Sequence, residues 1–358
     1  MPNVGRMRVG FCELDEPLRI GGLEGACRGL EAALRRAGHE VAPLGGGSSY
    51  DDLRACGVVH FHGLWSPVHA RVARRLRRLG VPYVTSPHGM LEPWAWRAKR
   101  WKKWPYFHLV ERRKMARGRA VLATAAQEAG RLERFFPRAL IHTLSLGSDL
   151  SRAPDYVAAR AELGWEKDER VILYLSRIHP KKGLKELLLA LAEFEPARLR
   201  AAQVRLVVVG DGPADYVATC RALAAKLEDR LELEWLAGVW SDKKWRYLQG
   251  ADLFALPTYS ENFGIVVLES CEVGTPVFTT VETPWTPVAE AGFGWVTEPG
   301  VAAARSVLGD FFENPRATAE DRLRCAQWVR ENYGWDEIAG GYIALYEEAA
   351  RAPGAVSA

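Results

Sequence analysis

Ala251-Asp252-Leu253-Phe254-Ala255-Leu256-Pro257 is followed, three residues on, by Glu261-Asn262-Phe263-Gly264-Ile265-Val266-Val267-Leu268-Glu269. The first seven residues read as a short buried strand. Ile265 to Val273 reads as a helix stopped by Gly274 and Pro276. Glu261 then falls on the loop at the carboxyl end of the strand, and Glu269 lies about two turns further on, inside the helix. In an open α/β sheet this edge is where ligands bind. Backbone N–H groups at a helix start hold anions, and Gly264 lets a ligand approach closely. A carboxylate here would repel a bare phosphate but can accept hydrogen bonds from sugar hydroxyls. Together these features point to a sugar joined to a phosphate. A solvated loop glutamate and an unrelated helix glutamate would give the same spacing, so other segments have to decide.

Those segments occur in a telling order. The apolar strand Val171 to Leu175 leads into Ser176-Arg177-Ile178-His179-Pro180-Lys181-Lys182-Gly183, then a helical pattern from Leu184 to Leu191. Val207-Val208-Val209-Gly210-Asp211-Gly212-Pro213 is a second strand with a glycine turn. The constellation resembles the family 4 retaining glycosyltransferases, which have the GT-B fold, and His62-Gly63-Leu64-Trp65 with Pro87-His88-Gly89-Met90-Leu91-Glu92-Pro93-Trp94 resembles their surface-polysaccharide type. That family carries Glu, seven residues, Glu, with Phe-Gly after the first, and a Gly-Arg-Leu…Lys-Gly element. Here Ser176 stands in place of the usual glycine, and Asn262 varies the residue before Phe263. Trp285 sits where the family usually has a small-residue loop; it would wall a pocket or simply pack.

Length and composition agree with two domains. The chain has 358 residues and is 48% hydrophobic, enough for two ordinary cores. No apolar run is long enough to span a membrane, and Met1 to Arg8 lacks a signal-peptide core. The six cysteines are scattered without Cys-x-x-Cys spacing, which reads as a reducing cytoplasm with no disulfide framework and no zinc site. Strands at 171–175, 205–209, 231–236 and 253–256 alternate with helical patterns, as a parallel sheet requires. The predicted division is an N-terminal, acceptor-binding Rossmann-like domain over 1–152, joined by a crossover helix at 336–350, and a donor-binding Rossmann-like domain over 153–335. The resemblance implies that these two doubly wound parallel-sheet domains face a central cleft.

The N-terminal half shows the same alternation. Met7 to Cys12 reads as a strand, Gly21-Gly22 as a glycine loop and Glu24 to Ala37 as a helix. Val58-Val59-His60-Phe61-His62-Gly63-Leu64-Trp65 is a strand running into a loop, with His60 and His62 on one face if extended. Two histidines at this spacing can begin a metal site, but a third ligand is not legible. Val81 to Met90 ends in Pro87-His88-Gly89, again a strand followed by a loop. By resemblance, His88 is the leading catalytic histidine and reaches the donor sugar; Gly21 and Gly22 lie over the donor diphosphate. His62, Trp65 and Trp94 are acceptor candidates.

Charge is uneven. Residues 1–150 hold 25 Lys or Arg against 13 Asp or Glu, whereas the remainder holds 23 against 31. Between 97 and 119 there are ten basic residues and one acid, Glu111, interleaved with Trp101 and Trp104 and preceded by Trp94 and Trp96. Cations with tryptophan suit an anionic membrane surface over 94–119 or a polyprenyl-linked acceptor. A solvated helix with packed tryptophans is the bland alternative, and nucleic acid is disfavoured as a partner.

The resemblance implies a hexosyltransferase that moves a sugar from a nucleotide-sugar, UDP-linked by family habit, to a saccharide or lipid-linked acceptor. The setting it implies is polysaccharide, capsule or lipopolysaccharide assembly at the inner face of the cell membrane, with no cofactor and no metal. Arg177 and Lys182 would stabilise charge on the leaving phosphate. Glu261 would hold sugar hydroxyls, aided by Asn262 and the Phe263 and Gly264 N–H groups. Glu269 would bind the ribose, and Gly210 would line the donor site. A nucleotide-sugar-binding partner subunit without turnover, or a GT-B nucleotide-sugar epimerase, would share the fold.

Overall fold

A computed structural model describes residues 5–14, 22–97, 100–239, 242–314 and 316–351. The chain divides into two compact units. The first comprises Met1–Asp149 with Asn332–Ala358, the second Leu150–Glu331.

Unit 1 contains strands β1 (Arg8–Cys12), β2 (Glu40–Pro43), β3 (Val58–His62), β4 (Tyr83–Ser86), β5 (Ala120–Ala123) and β6 (Ile141–Thr143). They form one parallel sheet in the order β2-β1-β3-β4-β5-β6. The order reverses between β1 and β3. Strand β3 is buried along its whole length, as expected when helices cover both faces. The last helix, Trp335–Arg351, belongs to this unit. Its buried Trp335 packs so closely on Gly29 that a Cβ there would lie 2.0 Å from the indole nitrogen.

Unit 2 contains β7 (Arg170–Leu175), β8 (Val204–Val209), β9 (Glu232–Leu236), β10 (Leu253–Ala255), β11 (Val277–Thr280) and β12 (Gly294–Thr297). These form a second six-stranded parallel sheet, ordered β12-β11-β10-β7-β8-β9. The reversal lies between β7 and β10, and both strands run toward the loops that carry the sequence motifs. Val204-Arg205-Leu206-Val207-Val208-Val209 is almost entirely β-branched or leucine, which suits a strand buried on two faces. Helix Leu184–Ala192 presents Leu184, Leu187, Leu188 and Leu191 at three- and four-residue spacing, all buried. Each contributes roughly 1.5–3 kcal/mol of burial.

The ends of β7 and β10 opposite those loops are tied by one carboxylate. Asp252, immediately before β10, accepts a hydrogen bond from the Val171 N–H at 2.9 Å and from Tyr156 Oη at 2.7 Å. It pairs with Arg160 at 3.0 Å and lies 3.8 Å from Arg322. The two guanidiniums also serve backbone carbonyls: Arg160 donates to Gly250 and Glu169, and Arg322 to Ala251. All three charged side chains are at most 5% exposed. Asp252→Ala would leave two buried cations without their anion. We expect a loss of about 3–5 kcal/mol in urea-induced unfolding; stability equal to that of the parent chain would refute the assignment.

Candidate functional site

In unit 2 the loops after β7, β8 and β10 are laced together by backbone contacts. Ser176 N–H donates to the Val209 carbonyl at 3.1 Å and Ile178 N–H to Asp211 at 2.8 Å. Gly210 adopts φ 155°, and a Cβ there would sit 1.9 Å from the Ser176 carbonyl oxygen. The loop after β7 continues into a single 3₁₀ turn, Pro180–Lys182, with His179 capping the Lys181 N–H. Gly183 then takes a left-handed φ of 74°, and a Cβ would collide with the Pro257 carbonyl at 1.9 Å. Tyr259 N–H and Thr258 Oγ1 both donate to the Lys181 carbonyl, at 2.7 and 2.8 Å. Thus Lys182 and the loop after β10 cannot shift independently.

This lacing brings Lys182 onto Glu261, seventy-nine residues away in the chain, as a hydrogen-bonded ion pair. Burial pushes the Glu261 carboxyl up. The ammonium groups of Lys182 and Lys181, with hydrogen bonds from Lys182 and the Asn262 N–H, outweigh it and hold Glu261 below the usual carboxylate value. Gly264, at φ 75°, stands at the start of helix Ile265–Glu272, which has no capping side chain. Phe263 is buried, and its carbonyl accepts the indole N–H of Trp285. Trp285 is fully buried with its ring 5.2 Å from that of Phe263, so it packs beneath the loop and does not wall an open pocket. Arg177 is exposed on the loop after β7.

Glu269 projects from the helix and accepts a hydrogen bond from Lys244 at 2.6 Å. Burial raises its pKa against the pull of that ammonium. Lys244, on helix Lys243–Gly250, was not legible in the sequence. It belongs to no motif, and only the fold sets it beside Glu269.

In unit 1, His60 and His62 do lie on one face of β3, their ring centroids 3.8 Å apart. His60 is fully bonded: Nδ1 to Tyr346 Oη at 2.8 Å and Nε2 to Ser86 Oγ at 2.7 Å. His62 Nδ1 meets His88 Nε2 at 3.2 Å, with the rings nearly parallel. Burial lowers the pKa of all three histidines, that of His88 to about 3. Each ring is therefore neutral at ordinary pH. The 3.2 Å contact requires a proton on one nitrogen and a lone pair on the other. His88 holds φ 52°, unusual for a non-glycine residue, and the following Gly89 N–H donates to Glu128 Oε1 at 2.7 Å. Among the described residues, no group of three or more His, Cys, Asp or Glu is placed to hold a metal ion.

Gly22 is the N-cap of helix Leu23–Arg36, whereas Gly21 lies outside the described residues. Trp65 is half-buried at φ 71°, its N–H donating to Glu111 Oε1 at 2.9 Å. Trp94 is 40% exposed on helix Pro93–Arg97. The basic segment divides. Trp101 and Trp104 are 75% and 52% exposed, so these two do not pack inside, whereas Trp96 packs on Phe107 and Phe135. Lys114 is a correction to the basic surface: it is buried in a 2.8 Å ion pair with Glu111, the lone acid of the tract. No helix among the described residues is long and apolar enough to cross a membrane.

Two family models match in succession: Glycosyltransferase Family 4 over residues 50–152 and Glycosyl transferases group 1 over residues 156–331. A D-inositol 3-phosphate glycosyltransferase of Segniliparus rotundus is 33% identical over 64% of this chain and 52% of its own length. A GDP-mannose-dependent alpha-(1-6)-phosphatidylinositol monomannoside mannosyltransferase of Mycolicibacterium smegmatis is 30% identical over 56% of this chain and 54% of its own. The chain thus spans about half the length of the curated relatives it matches. The sucrose-phosphate synthase of Thermosynechococcus elongatus superposes with a TM-score of 0.73 at 18% identity, over 96% of this chain and 99% of the other. The Anabaena protein HepE, solved in complex with UDP, gives the same score and identity over 96% and 100%. At that identity these structures speak for the fold, two six-stranded parallel sheets of GT-B type. With the two models matched one after the other, the chain belongs to the family 4, group 1 glycosyltransferases.

Proposed function

We propose that the chain is a retaining glycosyltransferase that moves a hexosyl group from a nucleotide-sugar, UDP-linked, to a hydroxyl of a saccharide or lipid-linked acceptor. The observation that carries this reading is the lacing of three loops at the switch point of the second sheet. It sets Lys182, Glu261 and an uncapped helix start at one strand edge. Lys182 and Arg177 supply positive charge for a diphosphate, and Glu261 and Glu269 supply acceptors for sugar and ribose hydroxyls. The Anabaena structures hold UDP, which supports a uridine donor; the mannosyltransferase relative is named for GDP-mannose.

In the reaction, the bond from sugar C1 to the β-phosphate oxygen breaks and its electrons stay on the phosphate. The acceptor oxygen bonds to C1 on the same face, and its proton passes to the leaving phosphate. Cations preorganised at that oxygen lower the barrier, because fixed charges need no reorganisation during the reaction. Neutral His88 serves as a hydrogen-bonding group toward the sugar and is no source of charge.

The basic excess of residues 1–150 favours an acceptor bearing phosphate or presented at an anionic surface. The relatives' names, with inositol phosphate and phosphatidylinositol mannoside, fit that chemistry as well as a polyprenyl-linked sugar of surface-polysaccharide or lipopolysaccharide assembly does. We assign the exposed Trp94, Trp101, Trp104 and Leu109, with the neighbouring lysines and arginines, to contact with such a surface at the inner face of the cell membrane.

Release of free nucleotide from a panel of UDP-, GDP- and ADP-sugars, with candidate acceptors, tests the activity. We expect one donor to be turned over and Lys182→Ala or Glu261→Ala to lower kcat by about 10²–10³. Full activity in both variants would overturn the assignment. Nucleotide release without an acceptor-dependent product would point to hydrolysis, nucleotide binding without release to a non-catalytic subunit, and a donor isomer formed without acceptor to an epimerase. For the surface, flotation with phosphatidylglycerol vesicles should recover the chain at low salt, and a Trp101→Ala/Trp104→Ala double variant should float less. No recovery at low salt would sink that part of the proposal.

A further inference from the structure

His88 sits in a backbone conformation that its own residue type disfavours. Its φ of 52° is followed by φ 73° at Gly89, so two successive residues are left-handed. A non-glycine residue there costs free energy of order 1 kcal/mol and persists only where the surroundings over-determine it. In this unit a buried carboxylate bonds to that turn, beside the backbone bonds from Met90 N–H to Pro87 and from Glu92 N–H to Gly89. Glu128 is 3% exposed. Its Oε1 accepts the Gly89 N–H at 2.7 Å; its Oε2 accepts the Thr124 N–H at 2.8 Å and Thr124 Oγ1 at 3.0 Å. Two oxygens thus join the turn after β4 to the turn after β5. One helical turn further on, Arg131 pairs with Glu92 at 2.7 Å, so helix Ala126–Phe135 grips the His88 loop at two points. Of these two, only the Glu128 contact falls on the strained residues themselves.

We propose that Glu128 is a positioning residue for His88: the buried carboxylate holds the His88-Gly89 turn left-handed and so aims the His88 ring at His62 and at the transferring sugar. The choice of a carboxylate matters. The Gly89 N–H, the Thr124 N–H and the Thr124 hydroxyl are all donors toward it, and an ionised carboxylate is acceptor-only, so it satisfies these three together. A glutamine would turn its NH₂ toward one of them and release either Gly89 or Thr124. The assignment of His88 to the sugar rests on the proposed function; the hold of Glu128 on the His88 turn does not, and the test separates the two.

The full chain, labelled with ¹⁵N at histidine, reports the ring nitrogens directly through long-range proton–nitrogen correlations. In the parent chain His62 and His88 should show the same fixed tautomer, because a proton on Nδ1 of His62 requires one on Nδ1 of His88, and a proton on Nε2 of His88 requires one on Nε2 of His62. We expect Glu128→Gln to average or exchange those two tautomers while leaving the resonances of His179, which belongs to unit 2, in place. Thr124→Val, which removes a single hydroxyl donor, should act in the same direction and less strongly. Arg131→Met, on the same helix but not in contact with Gly89, should leave the His62 and His88 tautomers unchanged. With an active donor, Glu128→Gln should lower kcat by about 10²-fold, the scale of an ångström-level misplacement, with little change in donor KM. Unchanged His62 and His88 tautomers in a folded Glu128→Gln chain would overturn the proposal, whatever the turnover. So would an equal disturbance by Arg131→Met, which would mark general loosening of the helix. Tautomer exchange in Glu128→Gln with unaltered kcat would keep the positioning and remove His88 from the chemistry.

Discussion

The carboxylate of Asp252 sets the frame of the second unit. It accepts the N–H of Val171, the second residue of β7, and stands at the entry to β10, the two strands that border the reversal of the sheet. Their register, Leu253 opposite Ile172 and Phe254 opposite Leu173, follows from where that anion fastens them. Everything at the far edge inherits this alignment. The Lys182 loop leaves one strand, the Glu261 loop leaves the other, and their contact is meaningful only if the strands do not slip.

Both units use buried charge for position more than for stability. A buried ion pair pays a desolvation cost that its attraction only partly repays, so Asp252 with its arginines, or Glu111 with Lys114, is a weak source of folding energy. What these groups do is bind backbone. Asp252 holds Val171; Glu111 holds Trp65 at φ 71°; Glu128 holds Gly89 beside His88 at φ 52°. Two of the four described non-glycine residues with positive φ in the chain are therefore anchored by a carboxylate from another element. Apolar packing could not do this, because it offers no acceptor to an unpaired N–H.

The sequence was most informative where a residue's role depends on near neighbours. Helix Ile265–Glu272, the glycine turns at Gly183 and Gly210 and the long strands β7 and β8 follow from local pattern, and the family resemblance rests on the same segments. Short strands carry too few residues to show a period, and β5, β6, β11 and β12 are not legible in the sequence. The pairings were hidden for a different reason. Lys182 with Glu261, and Glu269 with Lys244, join residues that are far apart in sequence, so no spacing encodes them. The tract from 97 to 119 read as uniformly basic, yet its one acid takes Lys114 out of the surface and inward. Tryptophans likewise divide by packing, with Trp96 inside and Trp101 outside, although their surroundings in sequence are alike.

The last helix packs within unit 1. Trp335 N–H donates to the Ser148 carbonyl, and Tyr346 Oη completes the bonding of His60. Unit 1 is thus discontinuous in the chain, whereas unit 2 is one continuous stretch. On the ribosome the order of closure is the reverse of the order of synthesis. Residues 1–149 emerge first, with all six strands of their sheet, but the helix that covers Gly29 and bonds His60 arrives only after residue 332, when unit 2 already has all its strands. During that interval Gly29 lacks the indole that covers it and His60 lacks its phenol partner. The first unit therefore has every strand of its sheet but lacks its last helix until unit 2 has been made, so its packing is completed after that of the later-made unit.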